Sequence, residues 1–280
     1  MSVTLWKNSR HGAGILLFLL LVPCCLLIGF LAGGSSSEAL WPEYVGESLL
    51  NDGNLTIDYS NAVDGYVMAA ATYPTDSRLK MRVVWNDRQL TYDLDGSGEY
   101  EIFPLQFGSG FYEFSLYENV GGTKYSSEGR VTLDVVMSNE DGAFLVPNQY
   151  VNYTKDSPSV LKSDELAGTA SEEEIYQAVC DYMASEFSYD FVRAQTISPG
   201  TLPEVDGCFD RKSGICQDLS AVMVSMLRVQ GIPARLMIGY ADGYYHAWTV
   251  AVVGGEERFF DPTAAVNALK ASDYQIERFY

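Results

Sequence analysis

Histidine is almost missing from this chain: two of 280 residues, His11 and His246. That argues against a zinc site, which recruits several His and Cys ligands at short regular spacings. Any imidazole chemistry downstream of residue 11 falls on His246. Basic residues are also scarce, with 18 Lys and Arg against 37 Asp and Glu, a formal net charge of −19. Beyond residue 40 the balance is 16 basic against 36 acidic residues. Such a surface repels phosphates and anionic headgroups, so no nucleic-acid partner is expected. Of five cysteines, Cys24 and Cys25 lie in an apolar N-terminal run, leaving Cys180, Cys208 and Cys216. An odd number does not close a disulfide framework, although a Cys180–Cys208 bridge with Cys216 free is open arithmetically. Internal repeats and low-complexity tracts are absent.

Long hydrophobic runs are missing too, save one. Residues 13–32 read AGILLFLLLVPCCLLIGFLA without a charge, preceded by Lys7 and Arg10 and followed by Glu38, Glu43 and Glu47. Twenty apolar residues span a bilayer, and the charge asymmetry directs the body of the protein outside. Two readings compete: a single-span anchor, or a signal peptide cut near residues 32–39. A third, lipidation of Cys24, fits poorly because Pro23 precedes the cysteine and the apolar run continues past it. The body is expected to be either tethered to the cell membrane by this helix or secreted.

At 47% hydrophobic residues the remainder can build cores. Residues 41–58 read as a linker. Over 59–138, short alternating runs (Tyr66–Tyr73, Leu79–Trp85, Gln89–Leu94, Glu99–Leu105, Phe111–Tyr117, Arg130–Met137) are separated by Gly, Asn and Asp turns. That pattern predicts a small immunoglobulin-like β-sandwich. Residues 139–170 read as an irregular linker. Ser171-Glu-Glu-Glu174 forms a capping box before Ile175, Val179, Tyr182, Met183 and Phe187, predicting a helix over 171–187 that opens a second domain, 171–280.

Three blocks in that second domain carry chemistry: GICQDLS at 214–220, YYHAWTV at 244–250 and FFDPT at 259–263. Leu219, Val222, Met223, Met226 and Leu227 recur at helical spacing up to Gly231-Ile-Pro233, so Cys216 starts a helix, where unpaired N–H groups favour a thiolate and could hold an oxyanion. Ala234–Tyr240, His246–Val253 and Arg258–Asp261 read as strands of an antiparallel sheet. A histidine in a strand of Ala, Trp and Val needs a polar partner, and Asp261 is available on the neighbouring strand. Cys208 lacks the helix-start argument and reads as a structural or disulfide cysteine.

Together GICQDLSAVMVSMLRVQGIPARLMIGY, HAWTV and FFDPT resemble the signature blocks of the transglutaminase-like superfamily, over about residues 171–265. The resemblance implies an α+β, papain-like transglutaminase core with Cys216 as nucleophile, His246 as general base and Asp261 orienting that base. The helix 171–187 with Ser188-Tyr189-Asp190 looks like the family's helix upstream of the nucleophile. Gln217–Ser220 replaces a commoner Asp-Tyr-Ala-like stretch, and Phe259 stands where a Trp is frequent. No side-chain oxyanion donor is assigned, Gln195 being only a candidate. The implied function is acyl transfer from peptide or protein amides through a Cys thioester, to water or to an amine, without cofactor or metal. The substrate would be a protein or peptide, those of the cell envelope included. The rival expectation is a non-catalytic surface module that uses the same scaffold for binding.

Overall fold

A computed structural model describes residues 39–267 and 271–280. The apolar run 13–32 lies outside the described residues. Among the described residues no helix is long and apolar enough to cross a membrane.

Eight strands come first: β1 (Leu49–Asp52), β2 (Leu55–Asp58), β3 (Tyr66–Ala71), β4 (Leu79–Trp85), β5 (Arg88–Leu94), β6 (Glu101–Pro104), β7 (Gly110–Gly121) and β8 (Lys124–Val135). They form two four-stranded antiparallel sheets, β1-β2-β3-β6 and β5-β4-β7-β8. Alternation explains the burial: in β4, Leu79, Met81 and Val83 are buried while Lys80 and Arg82 are only partly covered. β1 and β2 occupy part of 41–58, which the sequence presents as linker. Strands of four residues are too short for an alternation signal to stand out, yet β2 is buried along its whole length.

The segment 139–170 also departs from the irregular linker expected. It carries helix α1 (Pro158–Ala167) and buries Phe144, Val146 and Tyr153. Ser159 and Ser163 are fully buried on α1, with hydroxyls bonded to Ser225 Oγ (2.9 Å) and Met226 O (2.6 Å). Small hydroxyl residues therefore do the work that an apolar stripe would advertise.

Helix α2 (Glu172–Glu186) starts at Ser171, which caps Glu174 N–H and receives the Glu174 carboxylate on its own N–H at 2.8 Å. Short elements follow: β9 (Ser188–Tyr189), α3 (Phe191–Thr196), α4 (Val205–Arg211) and β10 (Ser213–Gly214), with β9 and β10 pairing in parallel. The central helix α5 (Cys216–Arg228) is buried at every position from Asp218 to Arg228, as expected for a helix enclosed on all sides. It packs against β11 (Ala234–Ala241) and β12 (Tyr244–Val253) of an antiparallel sheet. β13 (Glu256–Phe260), α6 (Pro262–Asn267) and β14 (Tyr274–Phe279) complete the chain, in the strand order β13-β12-β11-β14. The fold is thus mixed, with helices over an antiparallel sheet. β14 lies so close to β11 at Gly239 that a Cβ there would collide with Gln275 O.

Arg228, at the end of α5, is fully buried, with Nε on Ala234 O (2.9 Å) and Nη1 on Val146 O (2.6 Å). Burial pulls its guanidinium down to about 10, against the raising influence of Tyr153 and Tyr92. It clamps the 139–170 segment onto the core. Arg228→Ala is expected to destabilise the protein by about 3 kcal/mol, since a cavity opens and two buried carbonyls lose their donor. Urea midpoints measure this, and a shift under 1 kcal/mol would show that the clamp is dispensable.

Candidate active site

Cys216 is the first residue of α5, preceded by Ile215 in extended conformation. The helix starts here because Asp218 ties down its first turn. The Asp218 carboxylate is fully buried, accepts the Ile215 N–H through Oδ2 (3.1 Å) and the Glu204 N–H through Oδ1 (3.1 Å), and pairs with Arg193 Nε at 2.9 Å. Arg193 reaches Glu204 as well, at 3.1 Å. Gly214 lets the chain arrive, because a Cβ there would sit 2.6 Å from Cys208 Sγ and 2.8 Å from Asp218 Cβ. With Ile215 N–H claimed by Asp218 and Leu219 N–H bonded to Ile215 O (3.0 Å), the N–H groups of the first turn at Cys216 and Gln217 have no intrahelical acceptor.

His246 enters from β12, opposite Gly239 of β11. β13 runs antiparallel to β12 with Phe260 opposite Thr249, so the next residue, Asp261, carries on toward His246. His246 Nε2 meets Asp261 Oδ2 at 2.9 Å, and the imidazole also makes a hydrogen-bonding contact with Cys216. With Nε2 engaged, Nδ1 is the ring nitrogen left to serve the sulfur. Cys216 is half-buried, while the His246 and Asp261 side chains are 15% and 5% exposed.

Asp261 is held three ways. Besides His246 it accepts the Tyr274 hydroxyl on Oδ2 (2.8 Å) and the Ala264 N–H on Oδ1 (3.1 Å), capping α6. Burial pushes its carboxyl upward, but His246 and these two donors outweigh burial and keep it below the ordinary carboxylate value. For His246, burial works downward and is outweighed by the bonds and charges of Asp261 and Cys216, which lift the imidazole to about 9. The ring is an imidazolium at neutral pH. Trp248, 2% exposed, and Tyr274 wall the pair, with ring centroids 5.0 Å apart.

The sign of the pH dependence follows. A raised His246 contributes stability in full below about 6.5, lost as pH rises through about 9. A depressed Asp261 contributes above the ordinary carboxylate value, lost as pH falls through its folded value. The two describe one ion pair and count once. Between about pH 6 and pH 9.5 the protein is expected to lose about 3 kcal/mol in urea unfolding, and His246→Gln should flatten that loss. An unchanged slope in the variant would assign it to other groups.

Cys216 and His246 front a cleft of about 530 Å³, and Asp261 is not among its lining residues. Ser198–Thr201 forms one wall, Ile215–Gln217 the floor, and Ile238, Tyr245, Ala247 and Arg278 the sheet side. Gln217 Nε2 bonds Thr201 O at 3.0 Å, pinning that wall to the helix start. Among the described residues no cluster of His, Cys, Asp and Glu could hold a metal.

The structure therefore brings Cys216, His246 and Asp261 together. Gln195 lies on the exposed face of α3 and is not part of the cleft. Cys180, Cys208 and Cys216 are all free thiols, so the Cys180–Cys208 bridge is not made. Burial pushes both Cys180 and Cys208 up to about 12. Sequence reading missed Tyr274 and Arg278, both on β14, whose residues carry no local motif. The one available signal was Tyr274 and Ile276, two residues apart in YQIERF.

Residues 162–261 match the sequence profile of the transglutaminase-like superfamily. No curated protein matches the chain. Solved structures that resemble it include a candidate cysteine protease from Cytophaga hutchinsonii (18% identity, 78% of this chain and 79% of that one, TM-score 0.39). The periplasmic domain of TgpA from Pseudomonas aeruginosa bound to ethylmercury is another (16% identity, 81% and 78%, TM-score 0.37). A third, a TGase, shares 16% identity over 54% of this chain and 45% of its own, with a TM-score of 0.36. The thiol, imidazole and carboxylate all fall within residues 162–261, the stretch that matches the transglutaminase-like superfamily.

Proposed function

We propose that this protein is a cysteine-dependent acyl-transfer enzyme acting on peptide-like amides, with its catalytic body exported. The observation that carries the reading is the His246 imidazole, bonded to Asp261 at 2.9 Å and in contact with Cys216 at the start of α5. Cys216 sulfur attacks the amide carbonyl, and the oxygen that gains charge meets the unpaired N–H groups of the first turn. His246, holding the proton, passes it from Nδ1 to the leaving nitrogen, so that an amine departs and a thioester remains on Cys216. Water or a second amine, deprotonated by the now neutral imidazole, then takes the acyl group. Asp261 remains an anion throughout, fixing the ring and balancing the imidazolium.

Export rests on the charge asymmetry around residues 13–32, which favours an anchor or a signal peptide. The strand orders β1-β2-β3-β6 and β5-β4-β7-β8 support an immunoglobulin-like sandwich as the N-terminal module.

The test is direct trapping. The body from about residue 40 onward is mixed with peptide anilides, and Cys216 is followed by mass spectrometry during release of the aniline. The expected result is an acyl adduct on Cys216 whose decay is accelerated by added alkylamine if an amine is the acceptor, and unaffected if water is. Absence of both adduct and aniline across a broad peptide set would contradict the enzymatic reading and favour a binding module on the same scaffold.

A further inference from the structure

Arg278 is the one Lys, Arg, Asp or Glu among the residues that line the cleft containing Cys216 and His246. It reaches the cleft from β14, where it pairs with Ile238, which in turn pairs with Ala247, the neighbour of His246 on β12. Its guanidinium is poorly partnered. Nη2 donates to the Tyr245 hydroxyl, Nη1 lies 3.4 Å from Glu277 Oε1, and Nε is buried without an acceptor. Glu277 is its neighbour along the strand, so the two side chains leave the backbone on opposite faces and the pair is long and half-exposed. In a chain with 37 acidic and 18 basic residues, the one carboxylate recorded against Arg278 among the described residues is its strand neighbour Glu277, at 3.4 Å. Five donors in a planar fork match a carboxylate, and with the side chain 37% exposed part of that fork stays open to the cleft.

The geometry points to Arg278, with the Tyr245 hydroxyl, as the anchor for a substrate carboxylate beside the scissile bond. The enzyme is then selective for peptide-like substrates bearing an acidic side chain or a free C-terminal carboxylate near the carbonyl that Cys216 attacks. This rests on the proposed role of Cys216 as nucleophile. It also assigns a specificity residue outside the triad. The rest of the acidic surface repels such a substrate, so recognition is confined to the cleft and weakens with added salt.

The test uses two reagents of nearly equal size and the same leaving group, iodoacetate and iodoacetamide. In both, Cys216 sulfur forms an S–C bond as the C–I bond breaks and iodide departs. They differ in the carboxylate. Rates are read as the mass added at Cys216. Arg278→Gln is expected to lower the iodoacetate rate about tenfold while leaving the iodoacetamide rate within about twofold. Arg278→Lys, which keeps the charge, should retain most of the preference, and raised salt should erode it in the parent protein. A merely structural Arg278 would move both rates together, and that result, or an unchanged ratio, overturns the inference. A Cys216 inert to both reagents overturns the nucleophile reading itself and the inference with it. Protection of Cys216 from iodoacetamide by Ala-Ala with a free C-terminus, compared with N-acetyl-Ala-Glu amide, separates the two carboxylate sources. Protection by neither, at concentrations up to tens of millimolar, contradicts the anchor.

Discussion

Replacing His246 with alanine is expected to lower turnover at Cys216 by about 10⁴-fold, with the fold intact by circular dichroism. The size follows from the absence of any substitute. His246 is the only imidazole in the described residues, and the other groups in reach of the site are committed: Asp261 to three donors, and the Tyr274 hydroxyl to Asp261. With the ring gone, the sulfur has no cation beside it and the leaving amine has no proton source. Steady-state kcat/KM on any substrate found by trapping measures the loss. Activity within about tenfold of the parent would show that another group does the proton transfer.

The second large effect is at Asp261, and it divides by substitution. Asp261→Ala is expected to cost about 10³-fold, because Nε2 of His246, the Tyr274 hydroxyl and the Ala264 N–H all lose their acceptor in a nearly closed site. Asp261→Asn keeps an oxygen that can take the Nε2 proton, and Cys-His-Asn arrangements are competent in papain-like proteases. Its cost should be about ten- to a hundredfold. The loss of charge should also move the titration of His246 down from about 9 toward its ordinary range, pulling the alkaline limb of the pH–rate profile with it. Equal losses in the two variants, or a fixed alkaline limb in the asparagine variant, would mean that the carboxylate charge is not what holds the imidazolium.

Parts of the site were legible because their signals are local. The Ser171 capping box and the apolar spacing of Ile175, Val179 and Met183 locate α2, whose cap is made as expected. The apolar recurrence after Cys216 places the sulfur at a helix start, and the polar residues in the HAWTV and FFDPT strands single out His246 and Asp261. What escaped lies in contacts between distant segments. Tyr274 and Arg278 matter because β14 pairs with β11 across more than thirty residues, and neither has a motif around it. Helix α1 hides because it buries Ser159 and Ser163 through hydroxyl bonds, which leaves its apolar face thin. Arg228 reads in sequence as a surface residue near a helix end. Only the packing of the 139–170 segment over α5 reveals it as a buried clamp.

The central claim is that Cys216 and His246 work as a pair, and the pH dependence of Cys216 alkylation by iodoacetamide bears on it most directly. The account predicts that alkylation of Cys216 at neutral pH depends on His246, so that His246→Ala slows it and changes the shape of its pH profile. A rate that climbs only through the ordinary thiol range near 8.5, and that is the same with and without His246, would contradict it.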